Sequence, residues 1–272
     1  GRRKTLTDLR RPLTSLLLSL LMAAGTVSAA DGVDSGPVVE SEGATFGRLG
    51  DSAVVNPEEY KFSEAESRLW LADHLKNITK PTRLKYDFVK SGTYEEGFSD
   101  VVLLNIKQLN DDGSKNADMQ FFTGERSQPF SPDSVTEIRG NPILGLYMRG
   151  DVYDMNRITD GSWRYFQRRI KLALAETATM EPVEIEFAGK KVKAEIIVIT
   201  PYAKDPHAAQ FQQLKGKRYE FTLSDAVPGT IYQIRTVVPG ATDADAPVLE
   251  ERLTLVQAGA SAAVAVGAAG SP

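Results

Sequence analysis

The chain has 272 residues, of which 42% are hydrophobic and 25% charged, with 32 Lys and Arg against 36 Asp and Glu for a formal net charge of −4. With no Cys, the sequence excludes disulfides, thiolate chemistry and lipid attachment through Cys, and with only two His a transition-metal site would need carboxylates for most of its ligands. Cationic residues are scattered through a net acidic chain, which excludes the basic footprint that a phosphate backbone requires, so nucleic acid is not an expected partner.

Residues 1–30 read as a cleavable export signal peptide. Arg2, Arg3, Lys4, Arg10 and Arg11 form a basic start, an apolar run follows over 13–24, and Val27-Ser28-Ala29-Ala30 supplies the small residues that signal peptidase accepts. The run is too short for the roughly 20 residues of a membrane-spanning helix. The Arg2-Arg3 pair leaves the route open between general secretion and twin-arginine export. Removing the five basic residues and one acid of this segment leaves 27 basic against 35 acidic residues, or about −8. No other stretch has the length and apolarity of a span, so the expected product is a periplasmic or secreted protein with no membrane span after signal removal. Residues 31–58 lack any period of 2 or 3.6 and read as a flexible leader, residues 59–256 as a single domain, and 257–272 as a disordered Ala/Gly-rich tail.

Within the domain, Ser63 and Glu66 have capping-box spacing, and Ala65, Leu69, Ala72 and Leu75 follow at helical spacing. An N-terminal helix is therefore expected to run until Pro81 stops it, with His74 on its exposed side. Leu84, Tyr86 and Phe88 alternate with Arg83, Lys85 and Asp87 as a half-buried strand; a second strand spans 98–109, and a turn at Asn110-Asp111-Asp112-Gly113 returns the chain as a third over 117–123. The period then changes. Asn141-Pro142 offers an N-cap with Pro at N1, and Leu144, Tyr147, Met148, Val152 and Met155 can face a core. A second helix, capped by Asp160 or Ser162, carries Trp163, Phe166, Ile170 and Leu174 in one stripe. After Pro182 the period of two returns, with Val183, Ile185 and Phe187 on one strand and 192–199 on its partner. Tyr219, Phe221 and Leu223 alternate next, Val227-Pro228-Gly229 turns the chain, 231–238 comes back, and 249–256 predicts a last, edge strand. Strands in runs with helices set apart predict an α+β fold: a curved antiparallel sheet with an N-terminal helix and an inserted helix pair.

Catalytic and metal motifs are sparse. His74 and His207 stand outside any ligand spacing, and no G-x-S-x-G elbow or Gly-rich phosphate loop occurs. Asn110, Asp112, Ser114, Asn116 and Asp118 alternate like the first half of a calcium loop. Lys115 and Phe121, however, stand where Gly and a bidentate Glu are needed, so a polar hairpin tip is the reading. Asp151, Asp154 and Asp160 among Arg149, Arg157 and Arg164 read as a solvated ion-pair face; paired carboxylate chemistry on Asp151 and Asp154 is the alternative.

The remaining signal is aromatic. Tyr147, Tyr153, Trp163, Phe166, Tyr219 and Phe221 would meet between helices and sheet, either as packed core or as the lining of an apolar ligand site. The element pattern is similar to that of envelope lipoprotein carriers, an analogy of fold with no shared motif. The sequence thus suggests a non-catalytic bacterial envelope protein that needs no cofactor and binds an apolar small molecule or lipid between sheet and helices. Two alternatives stand beside it: an envelope protein-protein interaction module, docking through a sheet edge or the Arg-rich helix, and a carboxylate-dependent hydrolase.

Overall fold

The computed structural model describes residues 60–128, 134–242 and 244–261, so the expected signal peptide, the leader and the end of the tail lie outside the described residues. Nine strands form one antiparallel sheet: β1 (Thr82–Gly92), β2 (Phe98–Leu109), β3 (Lys115–Phe121), β4 (Ser134–Ile138), β5 (Thr179–Phe187), β6 (Lys190–Ile199), β7 (Arg218–Leu223), β8 (Ile231–Val238) and β9 (Leu249–Ala260). Helices α2 (Pro142–Thr159) and α3 (Trp163–Glu176) are inserted between β4 and β5. The strand order is β4-β3-β2-β1-β9-β8-β7-β6-β5, so the helix pair connects the two outermost strands of a curved open sheet. The expected α+β class and inserted helix pair are what the chain adopts.

Strand periodicity sets the inner face. Leu84, Tyr86 and Phe88 of β1 are buried in alternation, as are Val102, Leu104 and Ile106 of β2. Register carries this across the sheet. Phe88 pairs with Leu253, Leu253 with Ile234, Ile234 with Phe221, Phe221 with Ile197 and Ile197 with Met180, an apolar row over six strands. A fully buried side chain of this kind contributes ~1.5–3 kcal/mol, so this face supplies much of the folding free energy of a chain without disulfides. Pro182, which has no N–H to give a second ladder, sits in the edge strand β5 opposite Glu195.

Helix α2 starts where its cap demands. Asn141 Oδ1 accepts the Ile143 N–H at 3.1 Å, Pro142 takes N1, and Leu144, Tyr147, Met148, Val152 and Met155 are buried as their spacing predicts. In α3, Phe166, Ile170 and Leu174 are buried and Trp163 is half-buried; Ser162 holds the cap position without a side-chain cap bond.

Three expectations need correction. The Ser63–Glu66 capping box forms, yet the first helix, α1, is regular only over Glu64–Glu66, loosens into a π-turn over Ser67–Leu71, and ends with Ala72 extended. His74 is consequently buried rather than exposed. Its Nε2 lies 2.8 Å from the Arg68 carbonyl, and its Nδ1 accepts the Asn141 N–H at 3.1 Å, so tertiary bonds replace the missing helical turns. Strand β9 is central, not an edge: it lies between β1 and β8 and runs on to Ala260, which pairs with Thr82. Strand β4, which has no clear alternation in the sequence, is added by pairing with β3.

Candidate functional site

Next to the apolar row runs a row of a different kind. Lys90, Glu251, Thr236 and Tyr219 are successive cross-strand partners on β1, β9, β8 and β7, with Phe98 and Ile199 at its two ends. These are inward positions, because each stands two residues from a buried residue of its own strand, Phe88, Leu253, Ile234 and Phe221 in turn. Helix α2 lies over them. Tyr147, Asp151 and Asp154 recur at spacings of four and three, which places them on one stripe of the helix.

Every residue of that stripe meets the polar row. Tyr147 Oη lies 3.2 Å from Thr236 Oγ1 and donates to Glu251 Oε2 at 3.5 Å. Asp151 uses both oxygens: Lys217 Nζ donates to Oδ1 at 2.5 Å and Tyr219 Oη to Oδ2 at 2.7 Å, while Tyr202 Oη lies 3.0 Å from Tyr219 Oη. Lys90 Nζ is shared by Glu95 at 2.9 Å, Glu251 at 3.1 Å and Asp154 at 3.2 Å. Arg157 closes the outer end, reaching Glu95 at 2.7 Å and Asp154 at 2.9 Å.

Burial makes these contacts consequential. Asp151 is 4% exposed and Lys217 3%. Asp154 does belong to a half-exposed ion-pair face with Arg157, but the same reading for Asp151 is overturned, since the helix turns it inward onto Lys217 and Tyr219. Burial holds the hydroxyls of Tyr147, Tyr202 and Tyr219 far above the ordinary tyrosine range, so all three remain protonated donors. Burial pulls the Lys90 ammonium toward neutrality, but the charges of Glu251 and Asp154 outweigh it and its pKa is raised. Hydrogen bonds from Arg157, and from Lys90 behind it, hold Glu95 at about 2. Glu251 behaves oppositely: burial raises it, against the charges of Lys217 and Lys90.

The six aromatic residues singled out in the sequence divide into two groups. Tyr147, Phe166, Tyr219 and Phe221 are buried between the helices and the sheet, with the Phe166 ring edge-on to Tyr202 at 5.6 Å and Phe211 at 5.8 Å. Tyr153 and Trp163 instead pair with each other at 5.5 Å, linking α2 to α3 while half-buried, with Arg149 over Tyr153 and Arg164 over Trp163. Sequence reading missed Lys90, Glu251, Lys217, Thr236 and Tyr202. The signal was present for two of them, because Lys90 extends the inward series Leu84, Tyr86, Phe88 and Glu251 begins the series Leu253, Leu255. Asp151 and Asp154 address different cations and do not form a paired acid and base. Among the described residues, no group of three or more His, Cys, Asp or Glu is placed to hold a metal, and no helix is long and apolar enough to cross a membrane.

No protein-family profile and no curated protein matches the chain. Among solved structures, the chain is similar to the Mycobacterium tuberculosis lipoprotein LppX, at 8% identity and a TM-score of 0.29 over 70% of this chain and 91% of that one. It is similar to LprF from Mycobacterium bovis at 13% identity and a TM-score of 0.29, over 74% and 96% of the two chains. A LolA superfamily protein from Nitrosomonas europaea aligns at 9% identity and a TM-score of 0.20, over 72% and 93%. These are loose likenesses, and the fold described above rests on its own strand order.

Proposed function

We propose that this is an exported, non-catalytic envelope protein that holds an apolar or amphipathic ligand, such as a lipid, between the curved sheet and the helix pair, with α2 as the cover. The observation that supports this reading is the seat of α2: its inward stripe meets the sheet through hydroxyls and ion pairs, directly beside an uninterrupted apolar row. Taking charges out of water costs several kcal/mol each, and an apolar seat of the same shape would hold a helix at least as firmly. A polar seat instead fixes one register and can be exchanged for water when the helix lifts. What the helix then uncovers is the apolar row, with Tyr147, Phe166, Tyr219 and Phe221 as the lining and Tyr153 and Trp163 marking the α2–α3 seam.

The envelope address rests on the signal-like residues 1–30. Native mass spectrometry of the chain, purified from a bacterial periplasm without detergent, tests the carrier. We expect an adduct of several hundred daltons that leaves on denaturation. A bare mass in every oligomeric state, with no uptake of added fatty acid or phospholipid, would remove the carrier reading in favour of an interaction module.

A further inference from the structure

The polar seat of α2 is not balanced in charge. Among the described residues it brings together four carboxylates, Glu95, Asp151, Asp154 and Glu251, and three cations, Lys90, Lys217 and Arg157. The carboxylates are not equally provided for. Asp151 takes the ion-pair contact of Lys217 plus the Tyr219 hydroxyl, while Glu95 and Asp154 each receive Arg157 as well as a share of Lys90. Glu251 bonds only to its third of Lys90 and, over a long 3.5 Å, to Tyr147; Lys217 acts on it through its charge without an ion-pair contact, and the side chain is 12% exposed, with little water to fall back on.

We infer that closing α2 onto the sheet takes up one proton, and that Glu251 carries it. With Glu251 neutral the seat holds three carboxylates against three cations. Protonation at Oε2 reverses the Tyr147 contact, so that Glu251 donates to Tyr147 Oη and the tyrosine's own proton turns to Thr236 Oγ1, 3.2 Å away; Lys90 stays at Oε1. The groups that face Glu251 are Lys90 from β1, Tyr147, Asp151 and Asp154 from α2, Lys217 just before β7, and Tyr219 from β7. The upward displacement of Glu251, caused first by burial and then by Asp151 and Asp154 against the two lysines, has the sign this requires. Once α2 lifts, Glu251 meets water and returns to ordinary carboxylate behaviour. Closure is therefore strongest in acid and weakens as pH rises from the ordinary glutamate value of 4.5 to the raised value of the closed state, levelling off above it.

This inference rests on α2 being the cover proposed above, but on no particular ligand. Hydrogen exchange of the full chain, corrected for the intrinsic effect of pH, reads it directly as the protection of α2 amides relative to β1 amides. The expected result is a fall in α2 protection of up to about tenfold per pH unit above pH 4.5, then a plateau, with β1 unchanged, and a flat, high profile in Glu251→Gln. Independent opening of α2 with the same slope in both proteins overturns the proton uptake and leaves the cover intact. Exchange of α2 only together with the whole sheet removes the cover and this inference with it. Should Glu251→Gln not fold, carbon-13 titration of the wild-type Glu251 carboxyl decides: a midpoint above 4.5 supports the inference, and one at or below it overturns it.

Discussion

Single residues in this protein matter most where a charge is buried with one partner. Asp151→Asn leaves the Lys217 ammonium, itself 3% exposed, without its carboxylate. We expect that variant to lose about 3–5 kcal/mol in urea denaturation. The double variant Asp151→Leu with Lys217→Met removes both charges, leaves Tyr219 bonded to Tyr202, and should stay within about 1 kcal/mol of the wild type or exceed it. Equal losses in the two variants would mean that the pair stabilises in its own right. His74 supplies a second residue-scale test. Burial, together with the charge of Arg68, lowers its pKa below the ordinary 6.5, and a proton on Nδ1 would oppose the Asn141 N–H. Because the folded pKa is the lower one, the unfolded chain protonates first; the contribution is complete above about pH 6.5 and is lost as pH falls below it. His74→Gln should therefore show a smaller loss of stability than the wild type between pH 7.5 and pH 5, measured by denaturation at each pH.

At the scale of the element, α2 depends on a start that is also a junction. Asn141 caps the helix and its Nδ2 donates to Tyr86 Oη at 2.9 Å and to the Gly229 carbonyl at 3.0 Å. Gly229 has φ +77°, and a Cβ there would lie 2.6 Å from Leu84 Cδ1 of β1 and 3.1 Å from Asn141 Nδ2, so the turn before β8 can come this close to β1 and the α2 cap only without a side chain. Asn141→Ala should cost about 2–4 kcal/mol, above a simple cap, because it also leaves buried partners unpaired; a loss under about 1 kcal/mol in thermal or urea unfolding would reduce Asn141 to an ordinary cap. This junction was half legible. Asn141-Pro142 announces the helix start, and Val227-Pro228-Gly229 announces the turn, but nothing local says that the two meet. Alternation likewise predicted β1, β5 and β7, because a period of two follows from one buried face. The length of α1 escaped, since its end is set by Arg68, His74 and Asn141 bonding across the fold. The inward charges Lys90 and Glu251 lie far apart in the chain, and only register shows them to be neighbours.

For the whole molecule, the arrangement is one apolar face, one helix pair over it, and a charged seat at one end of the contact. The helix pair is spliced between the two outermost strands, so its two chain connections run to opposite margins of the sheet. The cover proposed above would thus be tethered at both ends, free to lift in its middle without leaving. The sequence indicated the pieces but not this plan, because strand order depends on long-range pairing that no window of residues records. Nine strands of alternating apolar residues are compatible with many orders. The place of β9 is the clearest case, as its composition suits a margin while its position is the centre.

That central position fixes when the protein can exist. The segments β4-β3-β2-β1 and β8-β7-β6-β5 share no ladder except through β9, which is the last described strand to be synthesised. A chain emerging N-terminus first therefore holds two half-sheets with raw edges at β1 and β8, each presenting apolar side chains such as Phe88 and Ile234 to whatever is nearby. Pairing Thr82 with Ala260 spans most of the domain, so the joining step is slow and comes late. Biosynthesis thus imposes a waiting period in which two apolar margins lie open until the final strand closes the gap between them.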